Sequence, residues 1–236
     1  PFIVSLTNGD KFDTIFLYTS FNKNAVVEGR PITLGEDGAT HQILEDIGLM
    51  KMLPGMTVIN PCDYNQTRAA TLAIAEHEGP VYLRFGRPKV PNFTPEQQEF
   101  QIGKALLLQE GTDVSIFATG HLVWEALIAA ENLEKEGISV EVINIHTIKP
   151  IDTGAIIASA SKTGSVVTAE EHNYYGGMGE SVARVLTTHQ PTPQEFVATL
   201  DTFGESGTPE QLMEKYGLNN KAIEKAVHKV ITRKDG

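Results

Sequence analysis

The amino-acid sequence predicts an α/β fold in two units, each built on a mostly parallel sheet. Three observations carry this expectation. Apolar strand-like runs alternate with helical periodicities along the chain. A polar connector punctuated by Gly86, Pro88, Pro91 and Pro95, with Glu96 and Glu99 close behind, splits the pattern into residues 1–95 and residues 101–236. Hydrophobic residues make up 41% of the 236 positions, enough for packed cores and too many for a disordered chain.

Taken in order, Pro1-Phe2-Ile3-Val4-Ser5-Leu6 is an apolar run that suits a buried strand. Phe12, Ile15, Phe16 and Thr19 recur at helical spacing and predict a helix, and Ala25-Val26-Val27 a short strand. An amphipathic run over 41–52 predicts a helix with Thr40 as its cap. Residues 56–60 predict a buried strand. Pro61 and Asp63 then open a helix with Ala69, Leu72, Ala73 and Ala75 on its apolar face, and residues 80–85 close the unit as a strand.

In the second unit, residues 113–119 form a strand ending at Gly120, and 121–136 a helix facing inward through Leu122, Val123, Ala126, Leu127, Ala130 and Leu133. Strands over 139–145, 165–169 and 196–200 alternate with helices opened by Pro150-Ile151-Asp152 and by Gly176-Gly177-Met178-Gly179. The end is helical: Thr208-Pro209-Glu210 starts one helix, Gly217 stops it, and 221–231 form the last.

Charge and cysteine content exclude several function classes. A net charge of −11 argues against nucleic acid or an anionic membrane as partner, since both reward basic surfaces. No apolar run reaches ~18 residues, so no membrane span is expected, and no basic-then-apolar leader is visible. The chain reads as soluble and cytoplasmic. The single cysteine, Cys62, excludes an internal disulfide and a multi-cysteine zinc site, and reads as a small buried residue. His77, His121, His146, His189 and His228 have no metal-ligand spacing and read as structural or solvated.

The stretch richest in chemistry is Leu34-Gly35-Glu36-Asp37-Gly38-Ala39-Thr40-His41-Gln42. Its glycines let the backbone turn where side chains would clash. His41 carries an imidazole able to give or take a proton near neutral pH, or is a surface residue of an ordinary helix start. Arg84 and Arg87 lie at and just beyond the carboxyl end of a predicted strand, where α/β folds bind ligands, and guanidinium groups match phosphate oxygens; the competing reading is pairing with nearby acids.

Gly-Glu-Asp-Gly-Ala-Thr-His-Gln followed by Leu-Glu-Asp-Ile-Gly-Leu-Met resembles the signature of the pyrimidine-binding domain of transketolase. Three further blocks are similar to the C-terminal domain of that family. They are residues 141–152, Glu170-Glu171-His172-Asn173 with Gly176-Gly177-Met178-Gly179, and residues 203–210 with Leu212 and Tyr216-Gly217-Leu218. The likeness covers about residues 25–232. It implies two three-layer αβα domains, a thiamine-diphosphate-binding fold and a transketolase C-terminal-like domain. It also implies transfer of a two-carbon ketol unit from a ketose phosphate to an aldose phosphate, a pentose phosphate pathway reaction. In that reading His41 hydrogen-bonds ketose hydroxyls as the catalytic residue, Asp37 faces a substrate hydroxyl, and Arg87 holds the sugar's terminal phosphate, with Arg84 a looser match. Glu36 matches a glutamate near the subunit contact.

The departures from the family pattern bear on cofactor use. The glutamate that activates thiamine in the family is expected upstream of Pro1 and is absent from this sequence, so its cofactor-binding residues are unknown. No clean equivalent of the pyrimidine-stacking phenylalanines follows Phe2, and a family histidine would fall near Gly29. The Gly-Asp-Gly and asparagine pair that hold magnesium and diphosphate are missing too. The resemblance therefore implies the C-terminal subunit of a split transketolase. An N-terminal subunit would carry the diphosphate-binding domain and Mg2+, and the two would form a dimer or heterotetramer. The chain alone is expected to be inactive. The rival readings are a 1-deoxyxylulose-5-phosphate synthase-like segment and a non-catalytic assembly or regulatory subunit.

Overall fold

A sheet buried on both faces must be apolar on both, and the second unit is built this way. The computed structural model describes residues 2–8, 11–17, 31–33, 38, 41–86 and 89–234, the first two segments as backbone alone. Five strands stand in the order β10-β9-β6-β7-β5: Gln194–Thr199, Val166–Asn173, Val114–Ala118, Val140–Asn144 and Leu106–Gln109. The first four run parallel, and β5 closes the edge antiparallel to β7. Alternation along β6 sorts its side chains between two cores. Val114, Ile116 and Ala118 join a cluster with α3 (Leu122–Lys135) and α7 (Asn220–Lys234), while Phe117 faces α4 (Thr153–Thr163) and α5 (Met178–His189). Ser115, on that second face, is satisfied by Ser159 Oγ and Thr163 Oγ1, each at 2.6 Å. The result is the three-layer α/β/α sandwich expected.

The helix ends follow their capping residues. Asp152 accepts from Ala155 N–H at the start of α4, whose left-handed Gly164 ends it. Thr208 and Gln211 form a capping box on α6 (Pro209–Tyr216), which stops at left-handed Gly217.

The first unit is smaller and leans on the second. Its described sheet has the order β4-β3-β8: Val81–Leu83, Thr57–Ile59 and Thr147–Lys149. β8 comes from the second stretch of chain and pairs antiparallel with β3. The two units also share a core, because Ile47, Met50, Met56, Val58 and Tyr82 pack into the cluster formed by α4 and α5. His146 sits at the crossing. Its carbonyl accepts from Asn60 N–H at 2.8 Å, and its ring lies 4.2 Å from that of Phe100.

Several elements differ from the sequence expectation. Residues 11–17 form a strand, β2 (Lys11–Leu17), in an antiparallel hairpin with β1 (Phe2–Asn8), where a helix was expected. Asn8 pairs with Lys11, so the two-residue connection in the sequence is Gly9-Asp10, a Gly-X hairpin signal that outweighs the helical spacing of Phe12, Ile15 and Phe16. Helix α1 spans Asp46–Met52, so His41 stands in the turn before it; its N-cap is Glu45, without a side-chain cap bond. On α2 (Tyr64–Glu76) the buried face is Gln66, Ala70 and Ile74, and Leu72 is exposed. Asp63 causes this rotation: it accepts from the N–H groups of Gln66, Phe93 and Thr94, which fixes where the helix starts. Strands β5 and β8 were not anticipated, and β9 continues to Asn173. The expected strand at 25–27 and the Thr40 cap lie outside the described residues.

Burial pushes the His146 imidazole down to about 4, against the attraction of Asp152. A histidine held neutral in the fold contributes stability above its ordinary value of about 6.5, and that stability is lost as pH falls from there toward 4. Thermal unfolding across this window should show an acid-dependent loss of about 3 kcal/mol at most, flattened in His146→Gln. Parallel pH dependences for the two proteins would refute the assignment.

Candidate active site and its supports

The turn carrying His41 is held by the second unit through backbone groups. His41 N–H donates to Gly38 O at 3.0 Å, and the residue is half-buried. The Gln42 amide donates to Ile32 O at 3.1 Å and to Glu205 O at 3.0 Å. Two glycines allow this approach. Gly38 has a left-handed φ of 79°, and a Cβ there would stand 2.5 Å from Ser206 Oγ; a Cβ on Gly204 would overlap the Gln42 amide. The 203–206 segment, one of the blocks that carry the family resemblance, therefore supports the His41 turn directly.

Beneath the turn lies a buried polar network joining α1, β4 and β9. Asp46 Oδ2 accepts from Tyr82 OH at 2.6 Å and from Arg84 Nε at 2.8 Å. Arg84 Nη2 donates to Glu171 O at 2.8 Å, and Glu171 Oε1 accepts from Thr33 N–H at 2.6 Å. His172 donates through Nδ1 to Asn173 O at 2.7 Å and accepts Gly48 N–H at Nε2, which fixes its tautomer. Burial alone would raise the Asp46 carboxyl, but the Arg84 guanidinium and the Tyr82 hydroxyl together hold it below its usual range. The Arg84 guanidinium is raised: burial opposes its charge, and Asp46 and Glu171 outweigh it. Burial and the Asp46 carboxylate push the Tyr82 hydroxyl up.

The sequence-derived site residues fall in different places. Asp37, Glu36 and Arg87 lie outside the described residues. His41 stands in a turn at the junction of the units. Arg84 is 1% exposed and reaches an internal carboxylate and an internal carbonyl, the pairing weighed against phosphate binding in the sequence. The Gly-Gly-Met-Gly segment does start a helix, yet that N-terminus already holds an anion. Both Glu170 carboxylate oxygens accept there, from Met178 N–H at 2.6 Å and Gly179 N–H at 2.7 Å. Lys51 of α1 donates to Gly177 O and to Ser181 Oγ, docking α1 on the same helix end. Cys62 is buried and its thiol is pushed up by burial, the opposite of an activated nucleophile. Among the described residues, no three His, Cys, Asp or Glu side chains stand close enough to hold a metal ion, and no helix is long and apolar enough to cross a membrane.

Sequence reasoning missed Asp46, Glu170 and the support by Gln42. The signal for Asp46 was an acid in the Leu-Glu-Asp-Ile-Gly segment, placed among residues that the amphipathic pattern buries.

Asp46→Asn leaves the Arg84 guanidinium buried without its counter-charge, a loss expected to cost about 3–5 kcal/mol. The depressed Asp46 carboxyl contributes stability above its ordinary range, lost as pH falls through its folded value; the variant lacks that contribution. Replacing both partners, Asp46→Leu with Arg84→Met, should recover most of the loss in urea denaturation. A cost below about 1 kcal/mol for Asp46→Asn would show that the pair braces nothing.

Comparison with known proteins agrees with this architecture. The transketolase pyrimidine-binding domain model matches residues 17–92, and the transketolase C-terminal domain model matches residues 103–223. A 6-deoxy-6-sulfo-D-fructose transketolase subunit of Clostridium sp. is 46% identical over 218 residues, 92% of this chain and 68% of the relative. An apulose-4-phosphate transketolase subunit of Phocaeicola vulgatus is 36% identical over 193 residues, 81% of this chain and 62% of the relative. The chain thus spans about two thirds of the length of these curated relatives. A solved split-gene transketolase, an inactive beta4 tetramer, superposes with a TM-score of 0.83 at 44% identity over 89% of this chain and 67% of that one. With both domain models matched in order and such relatives aligned along nearly its whole length, the chain belongs to the transketolase family.

Proposed function

We propose that the chain is the C-terminal subunit of a split transketolase, transferring a two-carbon ketol unit from a ketose phosphate to an aldose phosphate. The observation that carries this reading is the similarity to relatives named as transketolase subunits, combined with a His41 turn supported at the junction of the units. His41 and Asp37 position sugar hydroxyls and Arg87 anchors the terminal phosphate, by orientation and charge. Arg84 acts one step back, holding α1 and the turn before it through Asp46.

Thiamine diphosphate supplies the carbanion-stabilising chemistry when bound. The described residues hold no cluster suited to its magnesium, and the chain's own cofactor contacts are unassigned. The diphosphate end and Mg2+ are assigned to the N-terminal partner subunit, and this chain's own contribution is to bind and orient sugar. The related inactive beta4 tetramer supports the view that such a chain needs that partner for activity, in a dimer or heterotetramer of the two subunits. A cytoplasmic location goes with this reading.

Calorimetric titration of thiamine diphosphate with magnesium tests the assignment, on the chain alone and then mixed with a diphosphate-domain partner. Binding and ketol transfer are expected only in the mixture. A stable complex that neither binds cofactor nor turns over would leave a non-catalytic assembly role instead. In the active complex, His41→Ala should lower kcat/KM for the ketose donor by about ten- to a hundredfold, and unchanged kinetics would remove it from the site. Arg87→Ala should raise KM for phosphorylated donors and spare unphosphorylated ones; equal loss for both would leave Arg87 a structural role.

A further inference from the structure

We propose that Gly204 and Tyr216 are positioning residues of the candidate site: the end of α6 sets where the His41 turn stands, through the loop that joins β10 to α6. The proposal rests on the reading of His41 as a sugar-binding residue. That loop, residues 200–208, has no strand or helix of its own, so its shape depends on what holds it. Tyr216 OH donates to Phe203 O at 2.9 Å, and Lys215 pairs with the Glu205 carboxylate. Both side chains come from the last turn of α6, which left-handed Gly217 closes directly after them. The ion pair is exposed to solvent and contributes little, so the Tyr216 hydroxyl is the main hold on the loop from this side.

The loop passes its position on to the turn. Glu205 O, two residues beyond the carbonyl that Tyr216 holds, accepts from the Gln42 amide at 3.0 Å, and the same Nε2 reaches Ile32 O at 3.1 Å. Gln42 is the immediate neighbour of His41, so one side chain ties the turn to the loop. The far end of this chain of contacts is rigid. A capping box closes the start of α6, and Leu212 and Met213 are buried in the core cluster that also holds Ile32 and Leu44. Tyr216 packs against that cluster, which aims its hydroxyl from a fixed ring. At Gly204 there is no slack: a Cβ would overlap the Gln42 amide, and that amide is the part free to give way. Displacing a sugar-orienting residue by even an ångström misaligns the bond it serves.

Gly204→Ala pushes the Gln42 amide off the loop, and Tyr216→Phe removes only a hydroxyl. Hydrogen exchange of residues 41–44, followed by mass spectrometry on the full chain, reads the turn without requiring activity. The His41 and Leu44 amides are both bonded, to Gly38 O and Glu45 Oε2. Exchange there should quicken about tenfold in Gly204→Ala and about threefold in Tyr216→Phe, while buried Val227 and Val230 in α7 keep their protection. Lys225→Ala, on the exposed face of α7, should change neither region. In the active complex with the partner subunit, Gly204→Ala should lower kcat/KM for the ketose donor about tenfold. Combined with His41→Ala it should lower it no further, because its effect passes through that side chain. Losses that multiply would overturn the positioning role, as would exchange in 41–44 that matches the unaltered chain in both variants. The exchange response without ketol transfer in any complex would strike the proposed function and leave the coupling of loop and turn standing. If exchange quickens throughout Gly204→Ala, the fold itself has loosened, and the milder Tyr216→Phe decides.

Discussion

The ion pair between Asp46 and Arg84 is the constraint on which the rest of the molecule depends. Both side chains are removed from water, and two such charges are tolerable only if each finds its complement and the remaining polar atoms are bonded. The complements come from three separate elements. Asp46 opens α1, Tyr82 and Arg84 come from β4 and the residue after it, and the carbonyl closing the guanidinium belongs to Glu171 on β9. Satisfying this one pair fixes the first unit against the second. It also explains why a described sheet with strands of three residues persists at all, since so short a sheet needs packing from elsewhere. β8 supplies its third strand, and the α4–α5 core supplies the apolar contact.

The same dependence reaches the candidate site. His41 sits on a turn hung from Ile32 on one side and from Glu205 on the other, with α1 rooted by the ion pair below it. The second unit meets this turn through the Glu205 carbonyl and the Ser206 side chain. Gly38 and Gly204 matter because they let two loops approach more closely than any Cβ would permit. The family blocks in the second unit are thus explained as scaffolding for the turn and for α1, including the Glu170 carboxylate that fills the start of α5.

The strands of the large sheet and the inward face of α3 were legible because they obey local rules, a run of apolar residues or a 3.6-residue period. What was not legible depended on partners distant in sequence. The face of α2 turned on Asp63, whose acceptors engage Phe93 and Thr94 about thirty positions away. The edge strands β5 and β8 are short, and their pairing with β7 and β3 is a tertiary fact. The hairpin of β1 and β2 was announced by Gly9-Asp10, but the spacing of its aromatic residues favoured the wrong period. In the site, the motif pointed to His41, whereas nothing local separates Arg84 as a phosphate ligand from Arg84 as the partner of an acid 38 residues earlier.

The placement of acids gives the arrangement a common logic. A chain of net charge −11 with the proposed role of handling phosphorylated sugars must keep its carboxylates from repelling them. At the junction, Asp46 is neutralised by a guanidinium, Glu170 by the N-terminus of α5, and Glu171 by a backbone N–H beside Arg84. Each of these acids is buried and spends its charge on holding the two units together. The acids that set the overall charge lie instead on exposed helix faces such as Glu131, Glu134 and Glu214, where solvent and salt screen them. An acidic protein can in this way present a junction that carries little net negative potential, because the charges that build it are consumed in building it.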